Sequence, residues 1–67
     1  MKLAASLNLL LIAAEWLCIA QSDVRNAMRV TGNARTQYLS YARDGAARFR
    51  SYTALWWNAI QAPQLAA

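Results

Sequence analysis

An apolar run near the N-terminus constrains this chain more than any other feature. Residues 3–20 read LAASLNLLLIAAEWLCIA, and apart from the thiol of Cys18 their only ionisable side chain is that of Glu15. Eighteen residues of α-helix rise about 27 Å, which is close to the roughly 30 Å hydrocarbon core of a bilayer. The run therefore predicts a single transmembrane helix at about residues 3–22, with a helical conformation that could continue to residue 30.

The small size of the chain limits how such a helix can be buried. A domain of 67 residues is marginally stable unless disulfides, a metal, lipid or a partner supports it. Cys18 is the only cysteine, and there is no histidine, so an internal disulfide is excluded and no metal site is expected. The 58% hydrophobic content exceeds the usual globular share. We therefore expect lipid or partner chains to supply the missing stabilisation.

Two other interpretations of the apolar run remain open. A cleavable export signal has a similar apolar run before a small-residue cleavage site, and residues 18–20 resemble such a site. However, Glu15 interrupts the end of the run, and bulky Trp16 and Leu17 precede the cysteine where a lipoprotein signal has small residues. The run could also be a buried helix of a soluble oligomer, although the chain has little other apolar material to surround it. We favour a retained membrane anchor.

Positive charge is concentrated after the apolar run. Lys2 is the only basic residue before position 25, and the net charge is +4. The remaining basic residues are all arginines: Arg25, Arg29, Arg35, Arg43, Arg48 and Arg50. They suit contacts with anionic lipid headgroups or an acidic protein surface. The positive-inside rule then predicts a single-pass protein with its N-terminus outside and its C-terminus in the cytoplasm, in which residues 1–30 form the anchor and a basic extension.

The polar residues of the apolar run share one side of the predicted helix. Asn8, Glu15 and Ser22 are spaced by seven residues, so they form one stripe, while the other faces are apolar. A carboxylate in a membrane helix usually faces a partner, a cavity or water. We favour docking of this polar stripe onto another membrane subunit. Hydration of Glu15 at the membrane surface, or proton or ion binding there, are the alternatives.

A turn and a second helix are predicted after residue 30. Thr31-Gly32-Asn33 interrupts the helical pattern, because glycine suits the left-handed position after a helix and asparagine suits the cap of the next one. We expect a second helix at about residues 34–61, ended by Pro63 and followed by a short tail. Residues 31–67 then form an amphipathic segment rich in arginine and aromatic residues. The predicted fold class is all-α.

One face of the second helix carries an aromatic stripe. Its residues follow steps of three and four along the helix: Tyr38, Tyr41, Gly45, Phe49, Tyr52 and Trp56, together with Ala42 and Ile60. Gly45 lowers helix propensity, and its place on the stripe indicates close approach by another backbone. The stripe could pack against helix 1 or a partner subunit, or lie in the plane of a membrane surface. The charges within residues 43–50 make this helix a poor membrane span.

The residues of this chain do not form a recognisable catalytic constellation. There is no histidine, no glycine-rich phosphate loop and no nucleophile with an evident base, so we expect no enzyme activity and no cofactor of its own. A nucleic-acid partner is not expected because no binding motif accompanies the arginines, and pigment binding lacks the usual histidine ligand. The sequence favours a non-catalytic accessory subunit of a larger membrane complex. A self-assembling subunit of the pilin or filamentous-virus coat type, which would form homo-oligomers, and a membrane-active peptide are the alternatives.

Overall fold

Two α-helices joined by a short turn form a hairpin. The structure, a computed structural model, describes the backbone of residues 2–66 and the side chains of residues 5–61. Helix α1 spans Lys2–Ala27 and helix α2 spans Gly32–Ala66, and residues 2–66 contain no strand. The helices pack along each other in a rod of 54 × 15 × 10 Å. The prediction of an all-α chain with two helices and an intervening turn is confirmed.

Helix α1 ends earlier than its longest predicted extent. The amide of Met28 still donates to the carbonyl of Val24 at 3.1 Å, four residues back, but the amide of Arg29 donates to Asn26 at 3.1 Å, three residues back. This tightening is typical of the last turn of a helix. The expected continuation to residue 30 is therefore wrong, and the turn occupies residues 28–31.

Helix α2 is longer than predicted at both ends. It begins at Gly32, whose φ of +64° is the left-handed conformation expected for that glycine. It continues through Pro63 to Ala66, so the predicted end near residue 61 and the tail after it are wrong. Proline removes one backbone donor, but its fixed φ is itself compatible with a helix. The missing bond therefore does not end the helix at Pro63.

The side chain of Arg35 closes the turn. Its Nε donates hydrogen bonds to the carbonyl oxygens of Ala27 and Val30, both at 3.1 Å. The last carbonyls of a helix have no partner within the helix, and a cation near them also interacts favourably with the helix dipole. Arg35 therefore joins the first turn of α2 to the end of α1. The sequence assigned it to headgroups or an acidic partner, whereas its Nε is used within the chain.

The seam between the helices is built from small residues. On α1 the buried positions recur every seventh residue, at Ser6, Ala13, Ala20 and Ala27, and on α2 Ala42 is also buried. Many large apolar side chains lie outside the seam and are exposed: Leu7, Leu10, Leu11, Leu17, Ile19, Val24, Met28, Leu39, Leu55 and Trp57. The fully buried positions between the helices thus carry small side chains, and many of the large apolar side chains lie on the outer surface.

Candidate functional site

The two helices approach each other closely at Gly45. A Cβ atom placed on this glycine would lie 3.2 Å from the Cβ of Ala20 and 3.4 Å from the backbone oxygen of Trp16. A larger side chain would therefore meet the backbone of α1, which cannot rotate away. Glycine at this position allows the two helix backbones to approach, as its place on the aromatic stripe indicated.

An arginine of α2 packs on a tryptophan of α1 beside this contact. The guanidinium carbon of Arg48 lies 4.8 Å from the ring centroid of Trp16. This distance is within the range of a cation–π interaction, which contributes about 0.5–1 kcal/mol at an exposed site and more where water is excluded. Trp16 is half-buried while Arg48 is exposed, so the lower figure applies. The pair links the middle of α1 to the first half of α2.

The polar stripe of α1 points away from α2. Asn8, Glu15 and Ser22 are all exposed. Glu15 follows buried Ala13 by two residues, and a rotation of about 200° places it on the opposite side of the helix from the seam. Among the residues whose side chains are described, no hydrogen bond or ion pair involves Glu15. The stripe is therefore accessible to a partner while the hairpin is intact.

The aromatic stripe of α2 faces α1 with one exception. Gly45 is buried, and Tyr38, Phe49, Tyr52 and Trp56 are half-buried along the seam. Tyr41 is 49% exposed and does not pack in the seam. Ala42, which is four residues after Tyr38 and three before Gly45, occupies the seam in place of Tyr41. Tyr41 meets the edge of the Tyr38 ring at 6.5 Å and accepts a hydrogen bond from Nε2 of Gln37 at 2.8 Å.

Shallow apolar grooves run along one side of the hairpin near the turn. A groove of about 460 Å³ is lined by Ala20, Gln21, Val24, Arg25, Ala42 and Ala46. A second groove of about 310 Å³ continues from Val24 towards Met28 and Leu39. Both are open to the surroundings and lined mostly by apolar side chains. They add to the apolar surface that the hairpin does not cover.

The arginines lie along the half of the hairpin that contains the turn. Their side chains are exposed at all six positions: Arg25, Arg29, Arg35, Arg43, Arg48 and Arg50. Because α2 runs back along α1, the members on α2 lie beside the later part of α1 rather than beyond its end. Three contacts fix this antiparallel register. Arg35 contacts Ala27, Gly45 contacts Ala20, and Arg48 contacts Trp16.

One helix is long and apolar enough to cross a membrane. The candidate span is Ala5–Ala27, with a mean hydropathy of 1.4, and only 17% of its most apolar window is buried in the hairpin. Export signals and core helices of soluble assemblies can have the same length and composition, so membrane location itself belongs to the proposal below.

Trp16, whose ring is in contact with Arg48, is at the midpoint of this span. An arginine at the centre of a bilayer costs about 2.5–3.5 kcal/mol on insertion scales.

Several features of this surface were not predicted from the sequence. The seven-residue spacing of Ser6, Ala13 and Ala20 was visible, but small residues give a weak signal beside the leucines that surround them. The contact between Arg48 and Trp16 depends on the register of the two helices. No pattern along the chain fixes that register before the turn is known.

The chemistry of the described residues does not indicate a metal centre. No three of their His, Cys, Asp or Glu side chains come close enough together to hold a metal ion. Cys18 is exposed and has a free thiol. The geometry instead provides an apolar helix with a polar outer stripe, held to an arginine-rich helix by a narrow seam.

Comparison with protein-family models, curated proteins and solved structures gave no match to this chain.

Proposed function

We propose that this chain is a non-catalytic accessory subunit of a larger membrane protein complex. In this proposal α1 anchors the chain as a single span with its N-terminus outside, and the Arg-rich segment remains on the cytoplasmic side. The polar stripe Asn8, Glu15 and Ser22 docks onto a membrane helix of the partner. The arginines contact anionic headgroups or acidic groups of the partner. The role is to assist assembly or to stabilise the complex.

The observation that carries this proposal is the distribution of side-chain size. The fully buried residues of the seam are alanine, serine and glycine, whereas most of the described leucines of α1 are exposed, as at Leu7, Leu11 and Leu17. In water, burial of large apolar side chains is the main source of stability. Membrane helices instead associate through small residues and present large apolar side chains to lipid. The surface of α1 therefore favours a lipid or protein environment over water.

The total exposed area also favours a partner or a membrane. The accessible surface is 5172 Å². A compact monomer of this mass, 7.5 kDa, exposes about 4,200 Å² by the usual scaling with mass. The difference is similar to the roughly 800 Å² that one partner buries in a standard interface. Part of it reflects the elongated shape, which itself leaves both long faces of the hairpin uncovered.

The polar stripe supports docking by a specific face. Glu15 is the only acidic residue in the apolar run, and it lies on the outer side of α1, facing away from α2. A carboxylate on that side cannot be satisfied by the second helix while the hairpin is closed. Interhelical hydrogen bonds of the kind that Asn8 could donate contribute about 0.6–2 kcal/mol each in membranes. Together these side chains distinguish the partner side of α1 from its lipid sides.

Substitution of Glu15 tests the docking claim. The tagged chain is purified in mild detergent, and the polypeptides that accompany it are identified by mass spectrometry. We expect Glu15→Gln to reduce the recovery of the partner and Glu15→Leu to reduce it at least about fivefold, or roughly 1 kcal/mol.

The matched control is Ala14→Gln, which places an amide at the adjacent exposed position, outside the polar stripe. We expect this variant to retain the partner. Equal recovery from wild type and both Glu15 variants would rule out docking through the stripe.

The exposed apolar surface also favours a second candidate, a self-assembling structural subunit. Copies of the hairpin could cover the outer leucines of one another, as pilins and filamentous-virus coat proteins do with their apolar segments. Size-exclusion chromatography and negative-stain imaging of the purified chain distinguish the two. A homopolymer favours self-assembly, whereas a fixed low stoichiometry with other polypeptides favours the accessory subunit. A membrane-active peptide would instead arrest growth on expression.

A further inference from the structure

The closed hairpin and a membrane-spanning α1 require α2 to be in two different positions. The contact of Gly45 with Ala20 and of Arg48 with Trp16 holds the charged part of α2 beside the middle of the candidate span. Trp16 is eleven residues from either end of Ala5–Ala27, so its helical position is about 16 Å from either end. If α1 spanned a bilayer with the hairpin closed, Arg48 would lie near the bilayer centre.

The neighbouring charges of α2 share this position. Arg43, Asp44 and Arg50 lie within five residues of Arg48 on the same helix, which is less than about 8 Å along its axis. All of them are exposed, so α1 does not shield them. Charged side chains at membrane depth normally face a protein interior or a water-filled cavity. A closed hairpin on its own offers neither, because the charges of α2 lie on its outer surface.

We infer that the closed hairpin is the form of this protein outside the bilayer, and that α2 separates from α1 when α1 inserts. This inference rests on the proposed membrane function, and it specifies the change of structure which that function requires. Before insertion, α2 covers one face of α1 and its charges keep the hairpin at a polar surface. After insertion, α2 leaves the bilayer and its charges return to the headgroup region or to a partner.

The contacts that hold the hairpin closed are suited to such a change. The fully buried side chains of the seam are small, as at Ala13, Ala20 and Ala42, and the larger side chains along it, such as Phe49 and Tyr52, are already partly exposed in the closed hairpin. Most backbone hydrogen bonds lie within each helix and survive the separation. The side-chain bonds of Arg35 lie at the turn, where they can remain while the rest of α2 moves away. A bilayer can therefore shift the balance by accepting α1 alone.

A disulfide across the seam tests this inference. In a Cys18→Ala background, Ala20→Cys and Gly45→Cys place two thiols where the corresponding Cβ positions are 3.2 Å apart. Disulfides need about 3.5–4.5 Å, so a shift of a few tenths of an ångström allows the bond. The full chain carries an N-terminal epitope and is added to vesicles of phosphatidylcholine with a minority of phosphatidylglycerol. Insertion is measured as protection of the epitope from external protease.

We expect the reduced protein to insert and the oxidised protein to remain outside, with at least a tenfold difference in the ratio of protected to digested epitope, or about 1.4 kcal/mol. The single variant Ala20→Cys in the same background, which cannot form the bridge, should insert under both conditions. If the oxidised protein inserts as well as the reduced one, α2 need not separate and the inference is wrong, while the proposed membrane function stands. If wild type and reduced variant both stay outside, the proposed function fails as well.

A second variant decides the case in which wild type inserts but the reduced double variant does not. Gly45→Leu forces a larger side chain against the backbone of Trp16 and Ala20, so it should open the seam and increase the inserted fraction about tenfold at limiting lipid. Ala47→Leu adds the same side chain at an exposed position of the same helix and should leave insertion unchanged. Equal insertion of these two leucine variants would overturn the inference.

Discussion

Replacement of Gly45 by leucine should separate the two helices without unfolding either of them. The nearest atoms to a side chain at this position include Trp16 O at 3.4 Å and Ala20 Cα at 3.5 Å, both of which belong to the backbone. Since they cannot move by a change of rotamer, the backbones of α1 and α2 must move apart. The rest of the seam, which includes Ala13 and Ala42, then loses contact.

The expected magnitude follows from two opposing effects. Overpacking of a close contact typically costs about 1–3 kcal/mol, and the backbone atoms here favour the upper value. Leucine in place of glycine gains about 0.8–1 kcal/mol of helix propensity. If residue 45 is equally helical in the closed and open forms, the helix-propensity gain stabilises both forms alike. The closed form is then destabilised relative to the open form by the full overpacking cost of about 3 kcal/mol. If α2 instead frays at residue 45 when the hairpin opens, the helix-propensity gain stabilises only the closed form. The closed form is then destabilised by a net of about 2 kcal/mol. The closed form should therefore become at least about thirtyfold less favoured.

Spin labels on the outer faces of the helices measure this effect. Cysteines at Leu11 and Ala54, in a Cys18→Ala background, lie on exposed positions of α1 and α2. Pulsed electron paramagnetic resonance should show one short distance for the parent and a broad, longer distribution for Gly45→Leu. Circular dichroism should show no loss of helix. If Gly45→Leu gives the same short distance as the exposed control Ala47→Leu, the close contact at Gly45 does not hold the hairpin together.

Three further tests probe other contacts of the hairpin with the same labels and circular dichroism. Gly32→Ala should destabilise the turn by about 1–2 kcal/mol, because φ is +64° at this position and an L-residue is strained there; an unchanged distance distribution and helix content would contradict this. Arg35→Met should loosen the turn by about 1 kcal/mol through loss of the bonds to two carbonyl oxygens, an effect discounted for exposure of the side chain. A double-mutant cycle with Trp16→Leu and Arg48→Gln should give a coupling of about 0.5–1 kcal/mol; strictly additive effects would show that the pair contributes nothing.

The helices and their turn could be predicted because their signals are local. Gly32 marks the end of one helical pattern and the start of another, and its positive φ follows from the lack of a side chain. The end of α2 could not be predicted from Pro63 alone. Proline near the end of a helix removes one backbone hydrogen bond but allows the residues that follow to remain helical. Whether they do so depends on the hydrogen bonds available to them.

The interface between the helices was less predictable than the helices themselves. The spacing of Asn8 and Glu15 correctly placed them on one face, but it did not show whether that face would meet α2. The structure places it outward, because α2 packs on the small residues Ala13 and Ala20. The position of Arg48 over Trp16 follows from the length of the turn and the register of the hairpin. Both are properties of the whole chain and not of any short pattern.

We propose that α1 spans a membrane as a single helix and that α2 separates from it there. The distance between labels at Leu11 and Ala54, measured in buffer and again in vesicles that protect the N-terminal epitope, distinguishes the separated helices from the closed hairpin. We expect the short distance of the closed hairpin in buffer to be replaced by a longer one in the vesicles. The same short distance in vesicles with a protected epitope would contradict this proposal, because it would show that both helices cross the bilayer together.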